Sequence, residues 1–242
     1  MLSENSIKEL AVKFQTSELN IAREYFQNLF LNSLYTQKNS EKLGFKGGTA
    51  LRIVFNSPRF SEDLDFTADT GIKVFLLKQM LASTIEKIEK ENLQVNIIEA
   101  KETSGGFLAL YEVPLLSYTA RIELNISTRA KNMLFETEPH LVSSEIFPPY
   151  TLLALDRKIL VKEKIQALLF RKKPRDIFDL YYLLKSRIAP EQIVAYKSEI
   201  LNLLLTCKEG ALTGELKMFL PKSYWNLLPG MIKRLQEQVK NI

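Results

Sequence analysis

The sequence predicts an α+β fold, in which a small mixed β-sheet with flanking helices is followed by a C-terminal helical bundle. Alternating apolar and polar residues in the first 149 positions indicate several short strands. Beyond that point helical periodicity dominates, with prolines where helices would begin. Between the two patterns lies Pro148-Pro149, and consecutive prolines continue neither a helix nor a strand. We therefore place a domain boundary near residue 149, between residues 1–149 and residues 150–242.

The first part of the chain changes from helical to strand periodicity. Apolar residues recur at three- and four-residue spacings from Ser6 to Tyr35, which predicts one or two amphipathic helices. A Gly-Gly turn then leads into a short helix that ends at Asn56-Ser57-Pro58. A charged amphipathic helix is predicted from Val74 to Asn92. The predicted strands are Leu64–Thr67, Leu93–Ala100, Phe107–Val113 and Tyr118–Ser127.

The second part of the chain carries the pattern of a helical bundle. Prolines stand at the expected first turns of two of its helices. The predicted helices are Thr151–Phe170, Pro174–Lys185, Pro190–Leu205 and Leu227–Val239.

Composition narrows the class of function. The chain has 33 Lys and Arg against 28 Asp and Glu, and this basic balance suits an acidic partner such as RNA or nucleotide phosphates. Cys207 and His140 are the single residues of their types, which excludes an intrachain disulfide framework, a multi-Cys zinc cluster and His-rich metal chemistry. Because no secretory leader pattern opens the sequence and no run of 18 apolar residues occurs, we expect a cytoplasmic protein.

Paired carboxylates are the first candidate for chemistry. Asp63 and Asp65 are two apart in a predicted strand, so they point to one side while Leu64 and Phe66 face the core. Two carboxylates aimed at one point repel each other unless a cation lies between them, and oxygen-only ligands favour Mg²⁺. The alternative is a solvated acidic strand edge.

The segments before this pair favour the metal interpretation. Glycines at Gly47 and Gly48 let a backbone approach a ligand closely, amides that open a helix bind phosphate, and Thr49 adds a hydroxyl. Arg59, close to Ser61, offers a cation for a triphosphate, although it could also be an ordinary surface residue.

A third carboxylate would complete a two-metal site. In the alternating segment 121–126, Ile122 and Leu124 are expected to pack inward, which leaves Glu123 on the opposite face. Glu123 would bind the second metal or accept the proton of the attacking hydroxyl. A solvated polar face is the other interpretation.

The helical part supplies a candidate cation. Lys164 would stabilise the charge that develops on a leaving pyrophosphate, and Asp176 would orient that lysine or contact the nucleotide. Asp176 and Asp179 share one helix face. An ion-pair network between adjacent helices is the structural alternative.

Taken in order, three regions of the sequence resemble the AbiEii-type toxin family, which belongs to the DNA polymerase β-like nucleotidyltransferase superfamily. The resemblance spans about residues 40–185. The segments that carry it are Phe45-Lys46-Gly47-Gly48-Thr49-Ala50-Leu51, then Arg59-Phe60-Ser61-Glu62-Asp63-Leu64-Asp65-Phe66, and finally Glu163-Lys164-Ile165 with Arg175-Asp176-Ile177-Phe178-Asp179-Leu180.

The resemblance implies a magnesium-dependent nucleotidyltransferase (EC 2.7.7 class) that is the toxin of an abortive-infection or toxin–antitoxin pair. Characterised relatives transfer nucleotides from an NTP to the 3′ end of tRNA, and the expected partner is a cognate antitoxin, often a winged-helix DNA-binding protein. Carried over by position, Lys46, Gly47, Gly48, Thr49, Arg59, Ser61 and Lys164 match nucleotide binding, Asp63 and Asp65 the metal motif, and Lys164 and Asp176 the later catalytic motifs. Glu123 stands where the superfamily commonly has a third Asp.

Two other functions are compatible with these motifs. The same site could transfer AMP to a protein, as other relatives of the superfold do. Alternatively, the chain could be a noncatalytic nucleotide-binding or antitoxin-binding module.

Overall fold

The chain folds into two compact units, each with its own core. The fold is that of a computed structural model, which describes residues 2–128 and 135–242. Met1–Asn56 and Phe60–Leu155 form the first unit, here called the sheet unit. Ser57–Arg59 and Asp156–Ile242 form the second, here called the helical unit. The short segment 57–59 therefore belongs to a different unit from the residues on either side of it.

A mixed seven-stranded sheet organises the sheet unit. Its order is β3-β4-β5-β2-β1-β7-β6, in which β2 pairs parallel with β5 and β1 with β7, while the other neighbours are antiparallel. This arrangement confirms the predicted mixed sheet. The strands are β1 (Leu43–Lys46), β2 (Leu64–Ala68), β3 (Asn96–Thr103), β4 (Gly106–Leu115), β5 (Tyr118–Ser127), β6 (Thr137–Val142) and β7 (Tyr150–Leu155).

The α-helices of the sheet unit, among the residues that the structure describes, are α1 (Glu4–Lys13), α2 (Glu18–Leu34), α3 (Gly47–Ile53) and α4 (Val74–Glu89). Serine side chains begin the first two helices, because Ser3 accepts a hydrogen bond from the amide of Ser6, and Ser17 from that of Asn20. Helix α2 is buried over most of its length and contacts β5, β7 and α4. A helix enclosed on several sides can carry polar side chains into the interior of the sheet unit.

The helical unit contains α5 (Arg157–Arg171), α6 (Pro174–Ser186), α7 (Pro190–Ala195), α8 (Lys197–Thr206), α9 (Gly210–Phe219) and α10 (Met231–Lys240). Asp156 begins α5 by accepting hydrogen bonds from the amides of Lys158 and Ile159. Helix α5 ends at Arg171. The next residue, Lys172, adopts a left-handed conformation, and Pro174 starts α6. No helix in residues 2–128 or 135–242 is both long and apolar enough to span a bilayer.

One predicted helix was wrong over its first turn and a half. Thr151 to Leu155 belongs to strand β7, which pairs with β6 and β1, and the helix begins only at Arg157. Apolar runs of this length are compatible with either element, and pairing with two neighbouring strands decides for the strand. As a result, the two compact units divide after Leu155, whereas the sequence placed the boundary near residue 149.

Other boundaries also moved. Strand β3 begins at Asn96 instead of Leu93, the helix predicted from Pro190 is interrupted at Tyr196, and the last helix begins at Met231 after Gly230. Strands β1 and β6 and helix α9 were not predicted. The α+β class itself, with helices flanking the sheet and following it, is confirmed.

Candidate active site

The two predicted metal-binding carboxylates lie at the start of the central strand β2. Leu64 and Phe66 are fully buried, whereas Asp63 and Asp65 are half-buried, so the predicted alternation of faces is confirmed. In the sheet register Asp65 lies opposite Lys46 of β1 on one side and Asn125 of β5 on the other. Residues paired across adjacent strands point to the same face, so Asp65 shares its face with an amine and an amide.

Gly47 makes room for the carboxylate of Asp65. Its φ of +83° lies in the region that only glycine adopts readily. A Cβ atom at Gly47 would stand 2.1 Å from Oδ2 of Asp65, far inside any possible contact distance. The Gly-Gly turn and the carboxylate strand are therefore shaped to each other, which is a physical reason for finding them in one sequence pattern.

The backbone of the segment before β2 is held by side chains from two helices. Thr49, which is fully buried in α3, donates its hydroxyl hydrogen to the carbonyl of Asp63. The structure thus gives this hydroxyl a partner inside the protein, unlike the phosphate contact that the sequence predicted. From α2, Gln27 donates its amide to the carbonyls of Ser61 (3.0 Å) and Glu62 (2.9 Å). These bonds fix the path of the chain immediately before the carboxylates.

Charged side chains around this segment add to its order. Arg23 of α2 lies 3.2 Å from the carboxylate of Glu62. The guanidinium of Arg52 lies 4.0 Å from the centre of the buried Phe60 ring, and its Nε donates to Glu24 at 2.9 Å. Desolvation raises the pKa of Glu24, although Arg52 acts in the opposite direction. The segment from Phe60 to Asp63 is therefore fastened at both ends within the sheet unit.

Glu123 occupies the predicted face of β5. Ile122 and Leu124 are fully buried and Glu123 is exposed, as the alternation indicated. Its Oε1 accepts a hydrogen bond of 2.9 Å from the amide of Asn125, the residue next to Asp65 in the register. Among the described residues, no three Asp, Glu, His or Cys side chains converge to hold a metal ion. Glu123 therefore does not form a three-carboxylate cluster with Asp63 and Asp65 in this structure.

In the helical unit, Arg59 and Lys164 converge on one buried carboxylate, that of Asp179. Arg59 contacts it with two nitrogens, Nε at 2.8 Å and Nη2 at 3.0 Å, and Lys164 Nζ lies 2.8 Å from Oδ2. Arg59 is only 3% exposed, so its interpretation as an ordinary surface residue is wrong. Burial alone would raise the pKa of Asp179, but the two cations hold it at about 2. The carboxylate thus stays ionised.

Asp176 has a different position from the one expected. It is buried at the first turn of α6, where its carboxylate accepts from Arg171 (2.7 Å) and from the amide of Lys173 (3.4 Å). The expectation that Asp176 orients Lys164 is wrong, because Asp179 makes that contact. The two aspartates are about one helical turn apart on the same face of α6. Their spacing in the sequence therefore did not show which of them contacts Lys164. The second role considered for Asp176, a contact with the nucleotide, stays a prediction.

A family comparison decides the identity of this arrangement. The family model described as "Nucleotidyl transferase AbiEii toxin, Type IV TA system" matches residues 29–237. The chain belongs to this family. It is a nucleotidyltransferase toxin of the AbiEii type, from the type IV toxin–antitoxin class, and the resemblance seen in the motifs is confirmed. The match covers β2 with its carboxylates as well as α5 and α6.

Solved structures share the fold of this AbiEii-family chain at low sequence identity. MenT4, a nucleotidyltransferase toxin from Mycobacterium tuberculosis H37Rv, has a TM-score of 0.72 and 15% identity, over 100% of this chain and 91% of that one. JHP933 from Helicobacter pylori has a TM-score of 0.58 and 19% identity, over 93% of this chain and 95% of that one. No curated protein matches the chain significantly.

Two residues of the AbiEii-family chain with evident structural roles were not assigned from the sequence. Gln27 lies on α2, far from every motif along the chain, and nothing in its sequence context marks it. Asp179 lies within the last motif, and its spacing from Asp176 was the one signal that could have identified it. Its contacts became visible only when Arg59, 120 positions earlier, was placed beside it.

Proposed function

We propose that this toxin transfers an NMP unit from an NTP to an acceptor hydroxyl and releases pyrophosphate, a reaction of the EC 2.7.7 class. The observation that supports it most directly is the pair formed by Asp63, directly before β2, and Asp65 within β2, with Gly47 leaving space for the second carboxylate. Family membership supplies the reaction type, and the pair supplies the groups that such a reaction needs.

The donor set of this pair suits Mg²⁺. Two carboxylates on one face offer oxygen ligands only, the type that Mg²⁺ prefers, and substrate phosphates complete such a shell. Asp63 and Asp65 would hold the ion. Bound there, Mg²⁺ supplies the positive charge that balances the triphosphate.

Glu123 is our candidate for the proton acceptor. In the reaction, the acceptor oxygen forms a bond to the α-phosphorus as the bond to pyrophosphate breaks, and the hydroxyl proton must leave. Glu123 is exposed to an acceptor, and Asn125 fixes the direction of its carboxylate. The alternative role of Glu123, a ligand for a second metal, stays a prediction.

The remaining assignments come from the motif resemblance. Lys46 and the amides of Gly47 and Gly48 would bind the nucleotide, and Ser61 and Arg59 lie in the same motif region. Lys164 would bind phosphate oxygens, and its contact with Asp179 directs its ammonium group. Asp176 would contact the nucleotide.

We further propose that the acceptor is the 3′ end of tRNA and that the toxin acts in the cytoplasm, where NTP and tRNA are both present. The formal net charge of +5 agrees with a polyanionic acceptor. An antitoxin completes the pair, and we propose a winged-helix DNA-binding protein, with abortive infection as the setting.

The test compares acceptors with each of the four NTPs labelled in turn at the α-phosphate. Purified protein with Mg²⁺ is incubated with total tRNA, and separately with a protein extract. We expect labelled RNA and unlabelled protein. Labelled protein without labelled RNA would assign the same site to protein modification instead, and binding of NTP with no labelled product from either acceptor would contradict the transferase proposal.

A further inference from the structure

We propose that the exposed face of α5, together with the turn that joins α5 to α6, is a binding surface for an RNA strand. This inference rests on the proposed function, because it supplies a place on the helical unit for the acceptor RNA. We call this surface the basic face, and define it by Lys158, Lys162, Gln166, Phe170, Lys172 and Lys173.

The geometry of the helix aligns these side chains. Lys158, Lys162, Gln166 and Phe170 follow one another at four-residue intervals, and all four are exposed. Residues four apart are neighbours on the surface of a helix, so they form one continuous stripe. With a rise of about 1.5 Å per residue, this stripe is about 18 Å long, enough to follow several consecutive phosphates.

The distribution of charge points to a polyanion. The helical unit contains 18 Lys and Arg against 9 Asp and Glu, a formal charge of +9, while the sheet unit has 15 against 19, a charge of −4. Within the helical unit the charge is concentrated further, since residues 157–175 hold eight basic residues and one acidic residue, Glu163. The modest +5 of the whole chain is therefore the sum of a strongly basic unit and an acidic one.

The lysines of the basic face differ from other basic residues of the helical unit in their ion pairing. Lys164 and Arg171 have aspartate partners within the helical unit. In contrast, Lys158, Lys162, Lys172 and Lys173 form no side-chain ion pair with any residue that the structure describes. Lys158 and Lys162 are one helical turn apart and Lys172 and Lys173 are consecutive, so the cations of each pair repel each other unless an anion is bound.

Phe170 distinguishes an RNA strand from a simple anion. Its side chain is 90% exposed, at the last turn of α5 and directly before three basic residues. A single exposed apolar side chain is ordinary on its own, but an aromatic ring next to cations is the combination with which proteins bind single-stranded nucleic acid. The ring offers a stacking platform for an unpaired base, and the lysines offer contacts to the adjoining phosphates.

The test uses two variants with the same net charge. The first replaces the four lysines of the basic face (K158Q, K162Q, K172Q and K173Q). The second replaces four exposed lysines elsewhere in the helical unit (K185Q, K208Q, K222Q and K233Q), which controls for the loss of overall charge. Binding of fluorescently labelled total tRNA is measured by anisotropy at several salt concentrations, and circular dichroism verifies the fold of each variant.

We expect the basic-face variant to bind RNA at least tenfold more weakly than the control variant at low salt. The slope of log affinity against log salt concentration should fall by roughly three, since each phosphate contact on a single strand contributes about 0.7. Equal RNA affinity and an equal salt slope for the two variants would overturn the proposal.

Phe170 provides an independent test, which stands even if the fourfold variant does not fold. Phe170→Ala should weaken RNA binding about tenfold without changing the salt slope, whereas Phe170→Tyr should retain the affinity. Leu205→Ala, which truncates an apolar side chain 73% exposed in the same unit, is the matched control and should bind normally. An unchanged affinity in Phe170→Ala would contradict the stacking role.

The outcomes separate this inference from the proposed function. Wild-type protein that binds RNA through the basic face but transfers no label to it would retain the interface and contradict the transferase proposal. Equal efficiency of RNA labelling by the wild-type protein and by both lysine variants would retain the enzyme and overturn the interface. Wild-type protein that binds no RNA would overturn both the interface and the choice of acceptor.

Discussion

The backbone conformation of Gly47 directly affects the position of a proposed metal-binding carboxylate, that of Asp65. Its positive φ and the nearness of the Asp65 carboxylate leave no place for a side chain. Any side chain at position 47 would meet the carboxylate of Asp65 itself. For this reason a single methyl group at this position is an unusually sensitive probe of the site.

We expect Gly47→Ala to lower the rate of nucleotide transfer about 100-fold, because a displacement of about 1 Å at a reacting group has costs of that order. The left-handed conformation adds strain of about 1–2 kcal/mol. Gly71→Ala is the matched control, since a Cβ at Gly71 meets no atom within 4 Å. Transfer rates for the two variants, measured side by side, check the prediction, and equal rates would show that Asp65 tolerates displacement.

Asp179 allows a prediction about pH. Its pKa in the folded protein, about 2, lies below the ordinary value of 3.8, because Arg59 and Lys164 favour the ionised form. A depressed folded pKa contributes stability that is present above pH 4 and is lost as the pH falls towards 2. Asp179→Asn leaves two buried cations without their carboxylate and should lower the free energy of unfolding by about 3–5 kcal/mol near neutral pH.

The difference in unfolding free energy between wild type and Asp179→Asn should shrink as the pH falls from about 4 to 2. Denaturant unfolding followed by circular dichroism, at pH 6 and at pH 2.5, measures it. Glu199→Gln, the control, removes an exposed carboxylate of the same unit. It should leave the free energy of unfolding unchanged at both pH values. A difference that does not vary with pH would mean that Asp179 is not stabilised in its ionised form.

At the scale of single residues, the sequence predicted which positions carry charge on which face, but it did not predict all of their partners. Alternation along a strand is local, so the faces of Asp65 and Glu123 could be predicted. The contact of Arg59 with Asp179 joins positions 120 apart, and its existence depends on tertiary packing that no local pattern contains. This is why Asp176 was assigned the partner that Asp179 has.

Among the elements, helix α2 has an unexpected role in the site. It was predicted only as an amphipathic helix leading into the sheet unit, yet Gln27 on its buried face bonds two carbonyls just before β2. A buried glutamine is stable only if its amide is satisfied, and here the chain that carries the carboxylates satisfies it. The position of β2 is therefore set from α2 as well as from its neighbouring strands.

Gln27→Leu should reduce stability by about 2 kcal/mol, because the partly buried carbonyls of Ser61 and Glu62 lose their donor. We also expect a higher half-saturating Mg²⁺ concentration for transfer, since the segment before Asp63 would shift. Gln37→Leu is the control, because the side-chain amide of Gln37, in the turn after α2, donates to the carbonyl of Ser33 near the end of that helix. Titration of the transfer rate with Mg²⁺ checks the prediction, and an unchanged midpoint in Gln27→Leu would show that α2 does not set the carboxylates.

The elements themselves were predictable where the periodicity was long and clear, as in α4 and β5. The failures share one physical cause. Strand β7 contains a short apolar run that reads equally well as a helix, and only its pairing with β1 and β6 selects the extended form. Strand β1 has four residues, too few to show a period, and it too is defined by its neighbours.

For the whole molecule, the main result is an uneven distribution of chemistry between the two units. The sheet unit carries the carboxylates and a formal charge of −4, and the helical unit carries a charge of +9. Residues 57–59 belong to the helical unit, and from Phe60, just before the carboxylates, the chain is again part of the sheet unit. Total composition showed only the net excess of five, because the two contributions oppose each other.

The central claim is that the carboxylate pair of β2 carries out metal-dependent nucleotide transfer, and the most direct measurement compares two aspartates of one segment. Asp65→Asn removes a charge from the pair, and Asp69→Asn makes the same change just beyond the end of β2. Transfer of label from α-labelled NTP to tRNA is measured for both variants over a range of Mg²⁺ concentrations. We predict a loss of at least about 100-fold in Asp65→Asn at every concentration, and wild-type activity in Asp69→Asn. Transfer by Asp65→Asn at the rate of Asp69→Asn would contradict the account.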